Sequence, residues 1–536
     1  MGASQRYDVI VIGGGHNGLV AAALLARRGR RVALLEKRPE VGGAATTGMP
    51  WGPAFKVTTL SYVATPLPPA IARELELERH GYKVYPQHPY FAPYPDGRYL
   101  QLFDDPARRH AEIAKFSARD ADQMVVWDAW LGRLGAVLAP LLTSVPPRVG
   151  SKRFGDLAAQ IGLAWKMRGL SVGEVGDLTR LMSMSISDLL DDFFESPQMK
   201  GLLSVSGVIG TWAGPRSPGT AYVMAHHKIG DHAAGDGGAG AKVAAWGFPE
   251  GGMGAVTAAM RRAAEAAGVV VRVGAAVARI TVADGVVTGV ALDSGEELTA
   301  RTVISTAHPQ VTFLRLLDRA VLPDDFVVAI ERWKSRSGTV KVNLALDRLP
   351  DFACKPGFDP TVHGGTIVLA DSLDDIEGAF QDAAAGRPSA RPFADICIPS
   401  VFDKTLAPEG QHVMSMFTQW VPHEYVRAPH AADLDAYADR VIARLEGLAP
   451  GFTSSILHRE VVGPHRMQEE YGLIGGNIFH GELSLAQVFH MRPVPGWADF
   501  STPVKGLYFA GSATHGGGGV TAIPALQVVK RIVADT

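Results

Sequence analysis

An apolar strand closed by spaced glycines near the N-terminus, an acid at the end of the next strand, and a strand, glycine turn and helix at the far end predict an α/β protein. The expected architecture is a discontinuous Rossmann-type domain with an α+β domain inserted into it. Nucleotide-binding signals at both ends of 536 residues require the chain to leave that domain and return.

The first unit runs from Asp8 to Glu36. Val9 to Ile12 is an unbroken apolar run, the pattern of a strand buried on both faces of a parallel sheet. Gly13, Gly15 and Gly18 follow in G-x-G-x-x-G spacing. The first allows a tight turn, the second lets the backbone approach a pyrophosphate, and the third lets helix pack on strand. An Ala-rich helix is expected from Leu19 to Arg28, stopped by Gly29, its N-terminal amides and positive dipole end facing the phosphates. The second strand, Arg31 to Leu35, ends in Glu36, which is placed to bond ribose hydroxyls and disfavours a 2′-phosphate.

Two features select FAD over NAD. Directly after Glu36 come Lys37 and Arg38, then the glycine pair Gly42 and Gly43, Ala44 and Thr46. A glycine pair here lets the chain pass close to a long cofactor. Nearly the whole chain later, Val504 to Gly511 reads as a strand ending in glycine, followed by Ser512, Thr514, His515 and the run Gly516 to Gly519. A helix from about residue 522 to 533 closes the chain. This second helix N-terminus is aimed at a ligand, where its amides stabilise negative charge on a reduced flavin. Gly511, Ser512 and Val520 are the cofactor residues expected in it.

On these motifs the chain resembles the phytoene dehydrogenase-related FAD-dependent oxidoreductases, within the two-dinucleotide-binding-domain flavoproteins. That family's C-terminal signature has the form G-A-G-T-H-P-G-A-G. Thr514 and His515 match it, and Gly516 replaces the proline. Glu36-Lys-Arg, Gly42 to Thr46, Gly476 to Gly481 and Arg492 to Pro495 are most similar to the branch of pyridine nucleotide-disulphide oxidoreductase domain-containing protein 2. Carotenoid desaturases carry Arg after the glycine pair; Ala44 stands here and turns the expectation away from a carotenoid. The resemblance also implies a turn near the flavin at Pro249 to Gly254 and a backbone contact to adenine at Val277.

The FAD-binding domain is expected over 1–75, 230–310 and 461–536, and the substrate domain, with a helical lid, over 76–229 and 311–460. Tyr85 to Tyr99 reads as turns, and Leu131 to Val145 as a core helix of the inserted domain in preference to one that dips into a membrane surface. Leu189, Leu190, Phe193 and Phe194 recur at helical spacing and read as core. The Gly-rich stretch 230–240 is a lid or a surface connection. A helix over 255–268 is followed by strands at 269–273, 276–281 and 287–292. Val340, Val342, Leu344 and Leu346 alternate with Lys341, Asn343 and Ala345, the pattern of a half-buried strand. Met414, Met416 and Trp420 share a face that lines a greasy tunnel or packs on helices.

Apolar residues are 47% and charged residues 20%, ordinary for a globular chain. A net charge of −2 without a long basic run argues against nucleic acid. Two cysteines, Cys354 and Cys397, form no C-x-x-C, so no redox dithiol of that kind is present and a reducing cytoplasm is expected. No ligand cluster has metal spacing. The first strand begins too early for a leader, and no segment is expected to span a membrane; peripheral membrane contact and oligomeric state stay open.

A flavin supplies the redox chemistry, so the protein must bind it, orient a carbon and exclude water. No nucleophile elbow is present. The acid/base candidates are His480, Glu482 and His515, the last equally suited to positioning, with His226 and His227 behind them. Asn477 bonds a ligand or satisfies a turn. The first expectation is an FAD-dependent dehydrogenase, desaturase or oxidase that takes hydride from a largely apolar, isoprenoid- or lipid-like small molecule. An amine oxidase-like enzyme, which needs an aromatic cage, and a non-catalytic FAD-bearing binding or regulatory protein are the alternatives.

Overall fold

The computed structural model describes residues 5–65, 67–148, 151, 154–233 and 246–536. The expected Gly-rich stretch of 230–240 lies outside them from residue 234 onward.

One seven-stranded sheet joins the two ends of the chain. The strand Gln5–Ile12 lies parallel to Val32–Leu35 on one side and to Glu297–Ser305 on the other. Val270–Arg272 extends the sheet beyond Val32–Leu35. On the far side, Val277–Ala283 and Val286–Leu292 form an antiparallel edge. Leu507–Phe509 runs parallel to the end of Glu297–Ser305, with Val303 opposite Leu507. Alternation sorts the first strand's side chains: Val9 and Val11 pack under the helices His16–Ala26, Met253–Ala266 and Ile523–Asp535, while Ile10 and Ile12 pack against Phe313 and Phe509 on the other face. Both faces are covered, which is why the strand is apolar throughout.

The second seven-stranded sheet runs in the order Ile456–Val462, Thr339–Leu346, His412–Gln419, Phe393–Cys397, Gly365–Leu369, His88–Pro93 and Tyr99–Gln101. The last two strands, with Val84–Pro86, replace the turns expected over Tyr85 to Tyr99. Their prolines sit at strand ends and near the sheet edge, where no ladder donor is lost. Helix Ala431–Leu448 covers one face through Tyr437, Val441 and Leu445. A helical layer covers the other and meets Phe393, Phe417 and Trp420.

Thr339–Leu346 differs from expectation: it is buried along its whole length, Lys341 and Asn343 included. Its polar side faces other polar groups instead of water. Met414 and Met416 are packed among the side chains of the covering helix, so they line no tunnel. Helix Ala118–Leu142 is long and apolar enough to span a bilayer by length and composition, which the sequence reading missed. Its Trp127, Trp130, Leu134 and Leu138 are buried in the helical layer, so it is a core helix.

Candidate active site

Each glycine of the N-terminal turn has its own steric reason. Gly13 adopts φ +102°, open to few residues other than glycine, and a Cβ there would meet Thr306 Oγ1 at 2.5 Å. A Cβ on Gly18 would lie 2.0 Å from the Gly13 carbonyl oxygen. Gly15 differs, because a Cβ there meets no protein atom within 4 Å and points into open space. Gly43 stands opposite, its Cβ position 3.5 Å from the Gly15 Cα. No side chain caps helix His16–Ala26, which leaves its first amides for a ligand.

Glu36 is buried and closes the turn from behind. Its Oε2 accepts from the Gly14 amide at 2.6 Å and its Oε1 from the Arg38 amide at 2.9 Å. The carbonyls of Glu36 and Arg38 accept from Ala275 and Gly274, which carries the chain to Val277 beside the acid. Lys37 has an exposed side chain, so only its backbone belongs to this corner. Gly42 at φ +129° has no room for a Cβ against Ala45 O, and Ala44 O accepts from Ser61.

At the C-terminal turn, a Cβ on Gly511 would lie 2.7 Å from Thr306 O, so both turns close on one threonine. Ser512 O accepts from Arg492 Nη2 at 2.9 Å. Gly516, Gly518 and Gly519 take φ +68°, +111° and +71°. Proline locks φ near −65°, so the position the family signature gives to proline is wound differently in this chain. The Val520 amide donates to Thr65 Oγ1. His515 Nε2 donates to Leu141 O at 2.8 Å, and Gln527 donates to Leu142 O and Ser144 O. His515 therefore ties the turn to the helical layer.

The expected acid/base residues are distributed differently from the sequence reading. Glu482 is a correction: Arg336 holds both its oxygens, through Nε at 2.8 Å and Nη2 at 3.0 Å, with the Arg336 amide at 3.1 Å. A carboxylate so paired is held as the counter-charge of Arg336 and anchors a loop. Asn477 is likewise satisfied within its turn, by the amides of Phe479 and Gly481 and by Arg336 O. His480 adopts φ +57° and lies toward the N-terminal turn, with its ring 5.8 Å from that of His308. Burial first, then Arg492, push its pKa down to about 4. His226, ranked behind these residues, packs against the C-terminal turn from another helix: a Cβ on Gly518 would meet its Nε2 at 2.9 Å. Phe479 stands beside it, 3.5 Å from the same point. Tyr222 and Phe489 continue the wall, their rings 5.1 Å apart. Burial pushes His226 down to about 3 and His515 to about 4, so both are neutral at pH 7.

A buried polar cluster escaped the sequence reading. Lys341 lies with Nζ 4.6 Å from the Tyr62 ring centroid and donates to Ser415 Oγ. Ser415 Oγ donates to Asn343 Oδ1 at 3.1 Å, and Asn343 Nδ2 donates to Glu460. Tyr62 OH donates to Asp395 Oδ2 at 3.0 Å. Burial pushes Lys341 down to about 7 and Asp395 up to about 6. The signal was a lysine and an asparagine interrupting an otherwise apolar strand; period-two alternation assigned them to solvent.

His16 Nε2, Asn17 Oδ1, Thr46 Oγ1, His226 Nδ1, His480 Nδ1 and Arg492 Nε are buried without a hydrogen-bond partner. Buried polar atoms are seldom left so. Together with the open face of Gly15, they fit FAD laid from the first turn to the second. A cleft of about 380 Å³ is lined by Glu40, Thr46, Lys56, Gly251, Gly254 and Arg261, on the side of the glycine pair and the turn before helix Met253–Ala266.

Residues 18–525 match the family described as flavin containing amine oxidoreductase. The chain is 38% identical to pyridine nucleotide-disulfide oxidoreductase domain-containing protein 2 of Rattus norvegicus over 96% of this chain and 91% of that one. It is 26% identical to the neurosporene-forming phytoene desaturase of Cereibacter sphaeroides over 99% and 96% of the two chains. Among solved structures, an oxidoreductase from Methanosarcina mazei superposes with a TM-score of 0.62 at 16% identity, covering 98% of this chain and 100% of that one.

Proposed function

The chain belongs to the flavin-containing amine oxidoreductase family, and from that premise we propose that this FAD-dependent oxidoreductase takes hydride from a carbon of a largely apolar small molecule. One observation carries the reading: the wall around the C-terminal turn, Tyr222, His226, Phe479 and Phe489, is aromatic and neutral at pH 7, and the buried charge behind it is the Arg492 guanidinium, which bonds Phe479 O and Ser512 O. The buried carboxylate of the adjoining loop, Glu482, is neutralised by Arg336. A cationic amine would enter such a chamber without a counter-charge, at several kcal/mol of desolvation. An apolar carbon skeleton enters without that cost. The relative named phytoene desaturase supports the same class of substrate, while Ala44 argues against a carotenoid.

When bound, FAD accepts the hydride. The Gly15 face, the amides of helix His16–Ala26 and Glu36 hold its phosphates and ribose; the second turn and the start of helix Ile523–Asp535 hold the ring. The aromatic wall orients the substrate and excludes water. Desaturation also releases a proton from the neighbouring carbon.

Anaerobic mixing of the holoenzyme with a panel of terpenoids, fatty acyl compounds and primary amines tests the reading. Bleaching of the flavin absorbance by an apolar member and not by amines is expected. Bleaching by amines alone would overturn it in favour of an amine oxidase.

A further inference from the structure

Helix Phe154–Met167 is apolar, yet none of its described residues is buried. Phe154 is 88% exposed, Ile161 68% and Trp165 61%. The next helix, Val172–Ser183, begins with Val172 91% exposed. Elsewhere in the helical layer, as in Ala118–Leu142, side chains of this kind are in the core. A 14-residue helix is marginal in water without packing. Gly155 and Gly162 weaken this one further, by about 1 kcal/mol each. The bonds that hold it are local: Gln160 donates to Arg148 O, and Ser151 to Asp156. A helix apolar on most of its circumference belongs in an apolar medium.

Charge selects the medium. Residues 148–177 hold five basic residues, Arg148, Lys152, Arg153, Lys166 and Arg168, against three acids, Asp156, Glu174 and Asp177, in a chain whose net charge is −2; Arg148 packs on Trp497. Arg168 stacks on the Trp165 ring at 3.8 Å, pairing an indole with a cation as at a lipid–water boundary. We propose that the face made by Phe154–Met167 and the start of Val172–Ser183 docks on an anionic lipid surface, its apolar side chains among the acyl chains and Arg168 at the headgroups. The preceding helix ends at Leu142, whose carbonyl accepts from Gln527 beneath the C-terminal turn. The docked face therefore adjoins, along the chain, the part of the helical layer that touches the flavin turn. The inference stands on the helix and holds whatever substrate the enzyme takes.

Sedimentation of the full-length holoenzyme with vesicles of phosphatidylcholine, with or without phosphatidylglycerol, tests it. Binding to the phosphatidylglycerol vesicles is expected, weakened by high salt. The double variant Ile161→Ser/Trp165→Ser should partition at least about tenfold less while keeping its flavin content and melting temperature. Absence of wild-type binding to either vesicle, or equal binding of the variant, would overturn the proposal. So would a lipid-free dimer, detected by light scattering, that the same two substitutions dissociate; the face would then join two copies of this chain.

Discussion

The two glycine turns do similar work at opposite ends of the cofactor site, but they are built over different distances. The N-terminal turn closes mostly within its own strand–helix–strand unit, where Gly18 packs on Gly13 and the Gly14 amide bonds Glu36, with Thr306 as its one distant wall. The C-terminal turn is held by Leu141, Thr65 and Arg492, and its glycines clear Leu142 and His226. A turn whose constraints are local has a fixed spacing in the sequence. A turn whose constraints are tertiary shows only a run of glycines.

The sharpest way to break this comparison lies within the first turn. Gly18→Ala drives a Cβ to 2.0 Å from the Gly13 oxygen, and something in the strand–helix contact must shift. A loss of about 3 kcal/mol or more is expected, with no flavin retained, because backbone cannot yield as a side chain does. Gly15→Val is the contrast. The extended φ of −71° and ψ of 173° accept valine, and the new side chain meets no protein. The apoprotein should melt within about 1 kcal/mol of wild type yet load no FAD. Equal loss of stability in the two variants, measured by thermal melting of the apoproteins, would show that Gly15 serves the fold and not the phosphates.

A smaller effect is expected at the second turn. Gly516→Pro cannot reach φ +68°, so the turn must rewind around the ring end of the site. FAD should remain, held by the first turn, while turnover falls about 10- to 100-fold through misplacement. Loss of FAD on dialysis would show instead that both turns are needed for affinity.

The smallest effects belong to the histidines between the turns. His16, His480 and His515 are each pushed down to about 4, chiefly by burial. Their folded pKa values lie below the unfolded value near 6.5, so between these limits the unfolded chain binds more protons. Stability is full above about pH 6.5 and is lost as pH falls toward 4, by roughly 1–2 kcal/mol per histidine at pH 5. His480→Asn should flatten that slope by about one proton in melting curves taken from pH 7 to 4.5. An unchanged slope would place His480 in contact with water.

Glu36, the glycine spacing and the pairing of Gln5–Ile12 with Val32–Leu35 were legible because each follows from bonds within about thirty residues of chain. The same logic explains the errors. Glu482 read as an acid because its partner, Arg336, lies far away in sequence, and Lys341 read as a surface residue because period-two alternation cannot tell water from a buried polar cluster. His226 was undervalued because only folding brings its helix against Gly518.

By itself the sequence determined the dinucleotide turn, its acid and the discontinuous α/β plan, since these rest on backbone sterics and side-chain periodicity over short stretches. Tertiary structure decided which side chains wall the C-terminal turn, which buried polar atoms are left without a partner and which helix is left facing outward. Those properties depend on burial and on partners hundreds of residues apart, and burial is a property of the packed whole.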